Sequence, residues 1–488
     1  MDITYIIGPM LLLAVVLAAV WLERWSVPVI LISLGAGIIF GSDVLNLWYF
    51  GDIHLANQVA NIALIFILFQ GGFNTKRETF RSVALISGGL ATWGVVLTAA
   101  VTFIVLWGVL RWPLEKSILL AVVISSTDAA ATFSILRRQS LSRKLTASLE
   151  VESAANDPMA ILLTVVAITA FTSAEGSSWY MIVLSFLWKF TIAPIFGWLA
   201  ARFTIWLFNT LRPQDRGYYY VLFLGLCLLI YGLSEMMKTS GMMAVFVAGY
   251  VIGNHPFVHK QGLYNFSSAL SIIANIGMFA LMGLLVFPHQ WSALWFDGLL
   301  LFLALTFIGR PAAVLLGTLG MRIKWRDKLF MMWAGLRGAV PIVLSTYPAN
   351  AGMAIGQDVF NLVFFAVLLS IALQGSTLGL LAKWLGLATS KRPQPLYNLE
   401  LITMAKSDMD LIVVDLPDPK GCIGPKISDL NLPQGSVITL ITRGNEVVVP
   451  KGSTILQGWD QVTVLAHAKD SDYIRKALLE PFKHNNFS

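Results

Sequence analysis

Glu152, Ser153, Asn156 and Asp157 stand together in the stretch EVESAANDPMAI, with Glu150 just ahead of them and the apolar run AILLTVVAITAF behind. A carboxylate in hydrocarbon costs about 3 kcal/mol even on lenient scales, so acids in such a place point to chemistry rather than to packing. Ser153 and Asp157 are four residues apart, as are Glu152 and Asn156. On a helix these pairs form two adjoining polar stripes, hydroxyl over carboxylate and carboxylate over amide. Pro158 has no N–H and leaves the carbonyl of Ala154 without its helical donor. Bare oxygens beside a carboxylate suit a hard cation, which takes oxygen ligands.

Six ionisable side chains are read as lying deep inside apolar segments: Asp128, Glu152, Asp157, Lys189, Arg310 and Arg337. Asp128 closes the run Ser125, Ser126, Thr127, Asp128, which is too polar for a helix facing lipid and predicts irregular backbone lining a cavity. Arg337 lies in WAGLRGAVPIVL, where Gly335, Gly338 and Pro341 weaken a helix. If both segments break, Asp128 is expected to balance the positive N-terminal ends of the half-helices and Arg337 the negative C-terminal ends. Arg310, in FIGRPAAV, needs a carboxylate, and Glu152 is the natural partner. That pairing leaves Asp157 as the group that exchanges its passenger. Lys189, in LSFLWKFTIAP, is expected to snorkel or pair locally.

The elements that must position these groups are membrane helices. Of the 488 residues 57% are hydrophobic and 12% charged, and the mean hydropathy is +0.73. Soluble domains carry about 25% charged residues. Thirteen apolar segments can be drawn, at roughly 4–22, 27–41, 57–73, 83–110, 116–136, 146–171, 179–208, 218–236, 241–253, 264–287, 292–320, 328–348 and 357–386. The first lacks a basic start and a small-residue cleavage site, so it reads as a retained helix. Alternate loops then sort by charge. One set holds fifteen Lys and Arg, the other only Arg111, Lys116 and Lys238. Cytoplasmic loops carry the basic excess, which puts the N-terminus outside and the C-terminus inside.

The two interruptions, in segments five and twelve, are seven helices apart. An odd offset relates them by inversion, the layout of secondary transporters with broken helices and an ion site at the midplane. The expected fold is therefore a polytopic α-helical membrane protein of thirteen transmembrane helices, with inverted repeats and crossed broken helices, plus a small cytoplasmic α+β domain.

That domain follows a linker. The membrane part is taken as 1–390, the linker as 391–397 and the tail domain as 398–488. DLIVVDLP, SVITLITRG, EVVVP and QVTVLAHA are short β-branched runs, RGNE supplies a turn, and DSDYIRKALLE reads as a closing helix. The formal net charge of +7 does not mark a nucleic-acid binder: residues 391–488 hold 11 basic and 11 acidic side chains, so the excess tracks the membrane loops. The two cysteines, Cys227 and Cys422, are far apart and argue against a disulfide framework or metal cluster. His255 and His259 lie on one loop and are candidate pH sensors, a role that loop histidines seldom fill.

At these residues the chain resembles the monovalent cation:proton antiporter family, in its NhaP-type and sodium/proton-exchanger branch. Thr127-Asp128, ESAAND at 152–157, the arginine of GRPAAV and GLRGAVP match that family in order, as do VPVILISLGAGIIFGS and FILFQGGFNT. The resemblance spans residues 1–386. It implies a homodimer in the lipid membrane, each copy with a dimerisation bundle and a mobile six-helix core. It implies that Thr127, Asp128, Ser153 and Asp157 surround K⁺ or Na⁺, that Asn156 supports the site and that Glu152 pairs with Arg310. Asn156-Asp157, where electrogenic relatives carry Asp-Asp, implies electroneutral one-for-one exchange. The tail resembles the C-terminal lobe of RCK domains, which implies potassium handling and control by a small ligand, such as the nucleotide cyclic di-AMP, on residues 398–488. No GxGxxG precedes the lobe, no enzyme cofactor is expected, and the function expected is K⁺/H⁺ antiport under control of the tail. Na⁺/H⁺ antiport is the nearest alternative. A gated cation channel or sensor, or another inverted-repeat solute transporter, is more distant, since there is no selectivity-filter loop of the TVGYG kind.

Overall fold

The computed structural model describes residues 4–22, 27–77, 83, 87–128, 141, 143–172, 179–211, 215, 217–321, 323–387, 409–417, 423–444, 446–467 and 470–482. The chain divides into two compact units, one of residues 1–256 and 264–389, the other of 390–488 with the short stretch 257–263.

In the first unit, eight helices among the described residues are long and apolar enough to cross a membrane, and three shorter ones are apolar throughout. In chain order the helices are α1 (Thr4–Leu22), α2 (Val29–Phe40), α3 (Ile53–Asn74), α4 (Ser87–Val109), α5 (Leu114–Val123), α6 (Arg143–Thr172), α7 (Trp179–Thr210), α8 (Gly217–Met236), α9 (Gly241–Gly253), α10 (Lys260–Leu284), α11 (291–317), α12 (Trp325–Trp333), α13 (Ala339–Asn350) and α14 (Gly356–Trp384). Length and apolarity alone do not decide the expected count of thirteen crossings, because segments five and twelve are the interrupted ones. Segment five supplies α5, then a turn and backbone without regular structure at 126–128; its far half, from residue 129, lies outside the described residues. Segment twelve is two short helices, α12 and α13, separated by 334–338.

Local chemistry sets several of the ends. Asp52 caps α3, its carboxylate accepting from the N–H groups of His54 and Leu55 at 3.0 Å each. Ser240 caps α9 through the N–H of Met243. Among the described residues four stretches are wound as π-helix, at Leu90–Gly94, Ile104–Val109, Ala304–Gly309 and Ser370–Gly375. Such turns concentrate at functional sites; here one ends immediately before Arg310 and another contains Ser370 and Gln374.

α3 packs chiefly on α9, backbone against backbone. A Cβ on Gly72 would lie 2.2 Å from the carbonyl of Phe246, one on Gly249 2.3 Å from that of Phe69, and one on Gly253 2.3 Å from that of Phe73. Without a hydrophobic drive between helices in lipid, close approach through small residues supplies the attraction. At one end of the bundle His289 bonds Asp43 at 2.7 Å, and His54 bonds Asn350. Desolvation pushes the Asp43 carboxyl up, yet the backbone and side-chain bonds from His289 hold it below its ordinary value.

The second unit contains β1 (Met409–Asp415), β2 (Ile423–Lys426), β3 (Val437–Arg443), β4 (Glu446–Val448), β5 (Ile455–Gln457), β6 (Gln461–His467) and α15 (Ser471–Leu479). Four strands form an antiparallel sheet in the order β1-β6-β3-β4, and β2 pairs with β5. The β3–β4 turn follows RGNE, with Gly444 at a positive φ of 60°. Ile412, Val414, Ile441, Val462, Val464, Ile474, Leu478 and Phe482 make its core. The expected domain boundary at 398 falls outside the described residues, as does the linker 391–397.

Asp460 is the polar keystone of this unit. Fully buried, it accepts from Arg443 Nε and Nη2 at 2.8 Å each and from the Gln457 N–H at 2.9 Å. Those carboxylate bonds hold the Arg443 guanidinium above its usual proton affinity, against the opposing pull of desolvation. Asp460→Ala therefore lowers the stability of this unit by about 2 kcal/mol, because three donors lose a charged acceptor. Limited proteolysis of the full chain measures it: residues 409–482 should be cut at lower temperature than in the wild type, and unchanged resistance contradicts the assignment.

Candidate functional site

The two interruptions meet. The Asp128 N–H donates to the carbonyl of Leu336 at 2.7 Å, and Arg337 Nη1 donates to the carbonyl of Ser126 at 2.6 Å. Asp128 Oδ2 accepts from the N–H of Ala339, the first residue of α13, at 3.2 Å. The carboxylate thus sits at the positive end of one half-helix, and the guanidinium reaches carbonyl-rich backbone just past the end of α5. Ser370 Oγ accepts from the Arg337 N–H at 3.2 Å and donates to Gln374 Oε1, while Gln374 Nε2 donates to the carbonyl of Trp333. This pair, four residues apart in an otherwise apolar span, braces the break from α14. Its spacing was the available signal, and the sequence reading missed it.

Gly338 makes the junction possible. A Cβ there would lie 1.7 Å from Asp128 Oδ2, an impossible distance, so Gly338→Ala must push the carboxylate off the end of α13. The expected result is a loss of transport of about tenfold or more, since displacements near 1 Å at a working site carry such factors. Initial rates in everted vesicles, normalised to protein in the membrane, measure it; a wild-type rate contradicts it. At Gly335 a Cβ would lie 2.6 Å from Arg310 Nε, so the same loop also makes room for the arginine.

α6 brings up the remaining residues. Ser153 Oγ donates to the carbonyl of Thr127, and Asn156 Nδ2 donates to Thr127 Oγ1 at 2.7 Å. Thr127, Ser153, Asn156 and Glu152 are all buried. One turn on, Asp157 is within Coulombic reach of Asp128 and beside the hydroxyl of Ser126. Among the described residues Asp157 Oδ1, Asn156 Oδ1 and Ser126 Oγ are buried oxygens to which no protein group donates a hydrogen bond. Unsatisfied buried oxygens are rare and call for an explanation.

Glu152 and Arg310 form a buried ion pair, with Oε1 accepting from Nη1. The rest of the guanidinium donates to the carbonyl of Met331, from Nη2 at 3.1 Å and from Nε at 3.3 Å. Lys189, on α7, is drawn electrostatically to Glu235 near the end of α8, whose carboxylate accepts from the Gly241 N–H at 2.8 Å. Glu235 escaped the sequence reading because it stands at the edge of its span, where an acid reads as loop. His255 lies apart from the site, its Nδ1 2.7 Å from the carbonyl of Val251 one turn earlier in the chain. Glu150's side chain lies outside the described residues.

Comparison with known proteins places this arrangement. The family pattern described as "Sodium/hydrogen exchanger, transmembrane" matches residues 10–384, and the TrkA-C domain pattern matches 411–479. The K(+)/H(+) antiporter NhaP2 of Shewanella oneidensis is 34% identical over 468 residues, covering 95% of this chain and 81% of that protein. The K(+)/H(+) antiporter NhaP of Alkalimonas amylolytica is 30% identical over 472 residues, covering 96% and 82%. Among solved structures, the sodium proton antiporter MjNhaP1 from Methanocaldococcus jannaschii superposes with a TM-score of 0.69 at 24% identity, covering 78% of this chain and 99% of that one. This chain, a multi-pass membrane domain joined to a TrkA-C domain, belongs to the sodium/hydrogen exchanger family.

Proposed function

We propose that this chain exchanges K⁺ for H⁺ across the membrane, one for one, with Asp157 as the carboxylate that carries either passenger. The observation that carries the reading is the set of undonated oxygens on Asp157, Asn156 and Ser126 where the broken helices meet. The other two carboxylates have other duties: Glu152 pairs through Oε1 with Arg310, its Oε2 undonated among the described residues, and Asp128 holds the N–H of Ala339. Thr127 and Ser153 complete the oxygen shell, and Asn156 orients Thr127.

In this reading an empty Asp157 carboxylate is a charge that cannot be moved through the low-dielectric core, whereas its protonated and cation-loaded forms are neutral and can. That rule alone couples the two fluxes. Each pH unit is worth about 1.4 kcal/mol, which at one-to-one exchange drives a tenfold cation gradient. The names of the relatives favour K⁺. Na⁺ is the second reading, favoured by the sodium proton antiporter that shares the fold. Dequenching of a pH dye in everted vesicles, with K⁺, Na⁺ and Li⁺ added separately, decides between them. No response to any of the three ends the antiport reading.

The outside N-terminus and cytoplasmic C-terminus rest on fifteen basic residues against three in alternating loops; reporter fusions at the C-terminus test this. A two-copy assembly, implied by the resemblance, is tested by light scattering in detergent. For the TrkA-C unit we carry the reading that a small ligand, such as a nucleotide, regulates exchange. Repeating the dye measurement with and without residues 391–488 tests that regulation.

A further inference from the structure

α3 has two unlike halves, the end at 69–73 and the end at 54–61. One is riveted to α9 by backbone contacts at Gly72, Gly249 and Gly253 that leave no room to slide. The other carries His54, Asn57 and Asn61, spaced i, i+3, i+7 and hence on a single helix face. That stripe meets α13. Asn57 Nδ2 donates to Thr346 Oγ1 at 2.7 Å, Asn61 Nδ2 donates to Asn57 Oδ1 at 2.9 Å, and Tyr347 Oη donates to Asn61 Oδ1. At the end of the seam His54 Nδ1 bonds Asn350 Oδ1. Tyr231 and Glu235 of α8 are within electrostatic reach of Tyr347. α13 itself is anchored at its other end to Asp128, and it packs chiefly on α14 rather than on the group to which α3 belongs.

The seam is therefore a polar zipper between the helix group around α3, α8 and α9 and the half-helix that abuts the site. Alternating access in inverted-repeat transporters moves one bundle against another around a fixed site, so some contact must seal each side in turn. A glycine rivet cannot serve, because parting it uncovers backbone surfaces that fit only each other. Amide and hydroxyl partners can, because each finds water when the seam parts, and the net change per bond is small.

We propose that His54, Asn57 and Asn61 of α3 with Thr346, Tyr347 and Asn350 of α13 form the outer gate of the exchanger, closed in this structure and opened when α13 swings away from α3. The proposal rests on the antiport reading and takes its side of the membrane from the charge sorting of the loops.

Labelling tests it without relying on transport. Cys227 is buried and serves as an internal blank; Cys422→Ser removes the other thiol. Val343→Cys places a reporter one turn below the seam on α13. A membrane-impermeant maleimide added from outside should label it about tenfold faster when Asn61→Ala and Tyr347→Phe remove two seam bonds. An unchanged rate overturns the gate. The same rise from the opposite face alone keeps the gate and reverses the topology. Should that combination fail to fold, His54→Cys with Asn350→Cys uses two exposed positions. Oxidation should then lower exchange at least tenfold and dithiothreitol should restore it; exchange that persists after complete cross-linking overturns the gate. Fast labelling in a chain that shows no exchange at all would instead retire the antiport reading and leave the moving seam intact.

Discussion

Asp157→Asn abolishes cation-dependent proton movement and leaves the protein folded. Asparagine has the shape of aspartate but neither its charge nor its titrating proton, so a bound cation loses its counter-charge and the proton its seat. Among the described residues no group donates to Asp157 Oδ1, so the amide breaks no hydrogen bond on that side. Thermal unfolding in detergent should stay within about 1 kcal/mol of the wild type. Dye dequenching should fall to the level of vesicles lacking the protein for K⁺, Na⁺ and Li⁺ alike. Exchange retained at more than a small fraction of the wild-type rate would move the passenger's seat elsewhere, with Asp128 the next carboxylate to try.

Glu152→Gln has the opposite character. It removes the carboxylate paired with Arg310, whose side chain is 4% exposed. The guanidinium keeps only neutral acceptors, the introduced amide oxygen and the carbonyl of Met331, and a buried charge without a counter-charge costs roughly 3–5 kcal/mol. The expected result is a protein that melts well below the wild type, with low yield, rather than a stable but inactive one. Replacing Arg310 as well, in Glu152→Gln/Arg310→Gln, should recover part of the loss, because the stranded charge is gone. Such a cycle isolates the pair from other effects of either substitution. If Glu152→Gln melts like the wild type, the pair contributes nothing to the fold and Glu152 becomes a candidate for proton traffic.

The contrast between these two acids was largely legible in the sequence, because one helix turn with three polar types in an apolar run has few physical uses. α9 lies at 241–253, where the apolar pattern drew it. The paired interruptions showed through Ser125–Asp128, too polar for a lipid-facing helix, and through Gly335, Gly338 and Pro341, residue types that weaken a helix interior. What stayed hidden depends on partners far along the chain. Asn57 and Asn61 look like stray amides until Thr346 and Tyr347, 289 and 286 residues away, are seen beside them. Glu235 becomes notable only through Lys189 and Gly241. The π-helical turns leave no mark in a hydropathy pattern. In the tail, β2 and β5 are four and three residues long, too short for an alternating period to register.

The most direct measurement is uphill transport by the purified full-length chain in proteoliposomes. With a one-unit pH gradient imposed, the account predicts accumulation of K⁺ or its tracer Rb⁺ toward a tenfold gradient, unchanged when the membrane potential is held at two different values. A flux that only dissipates the cation gradient, or an accumulation that follows the voltage, contradicts the shared-carboxylate mechanism.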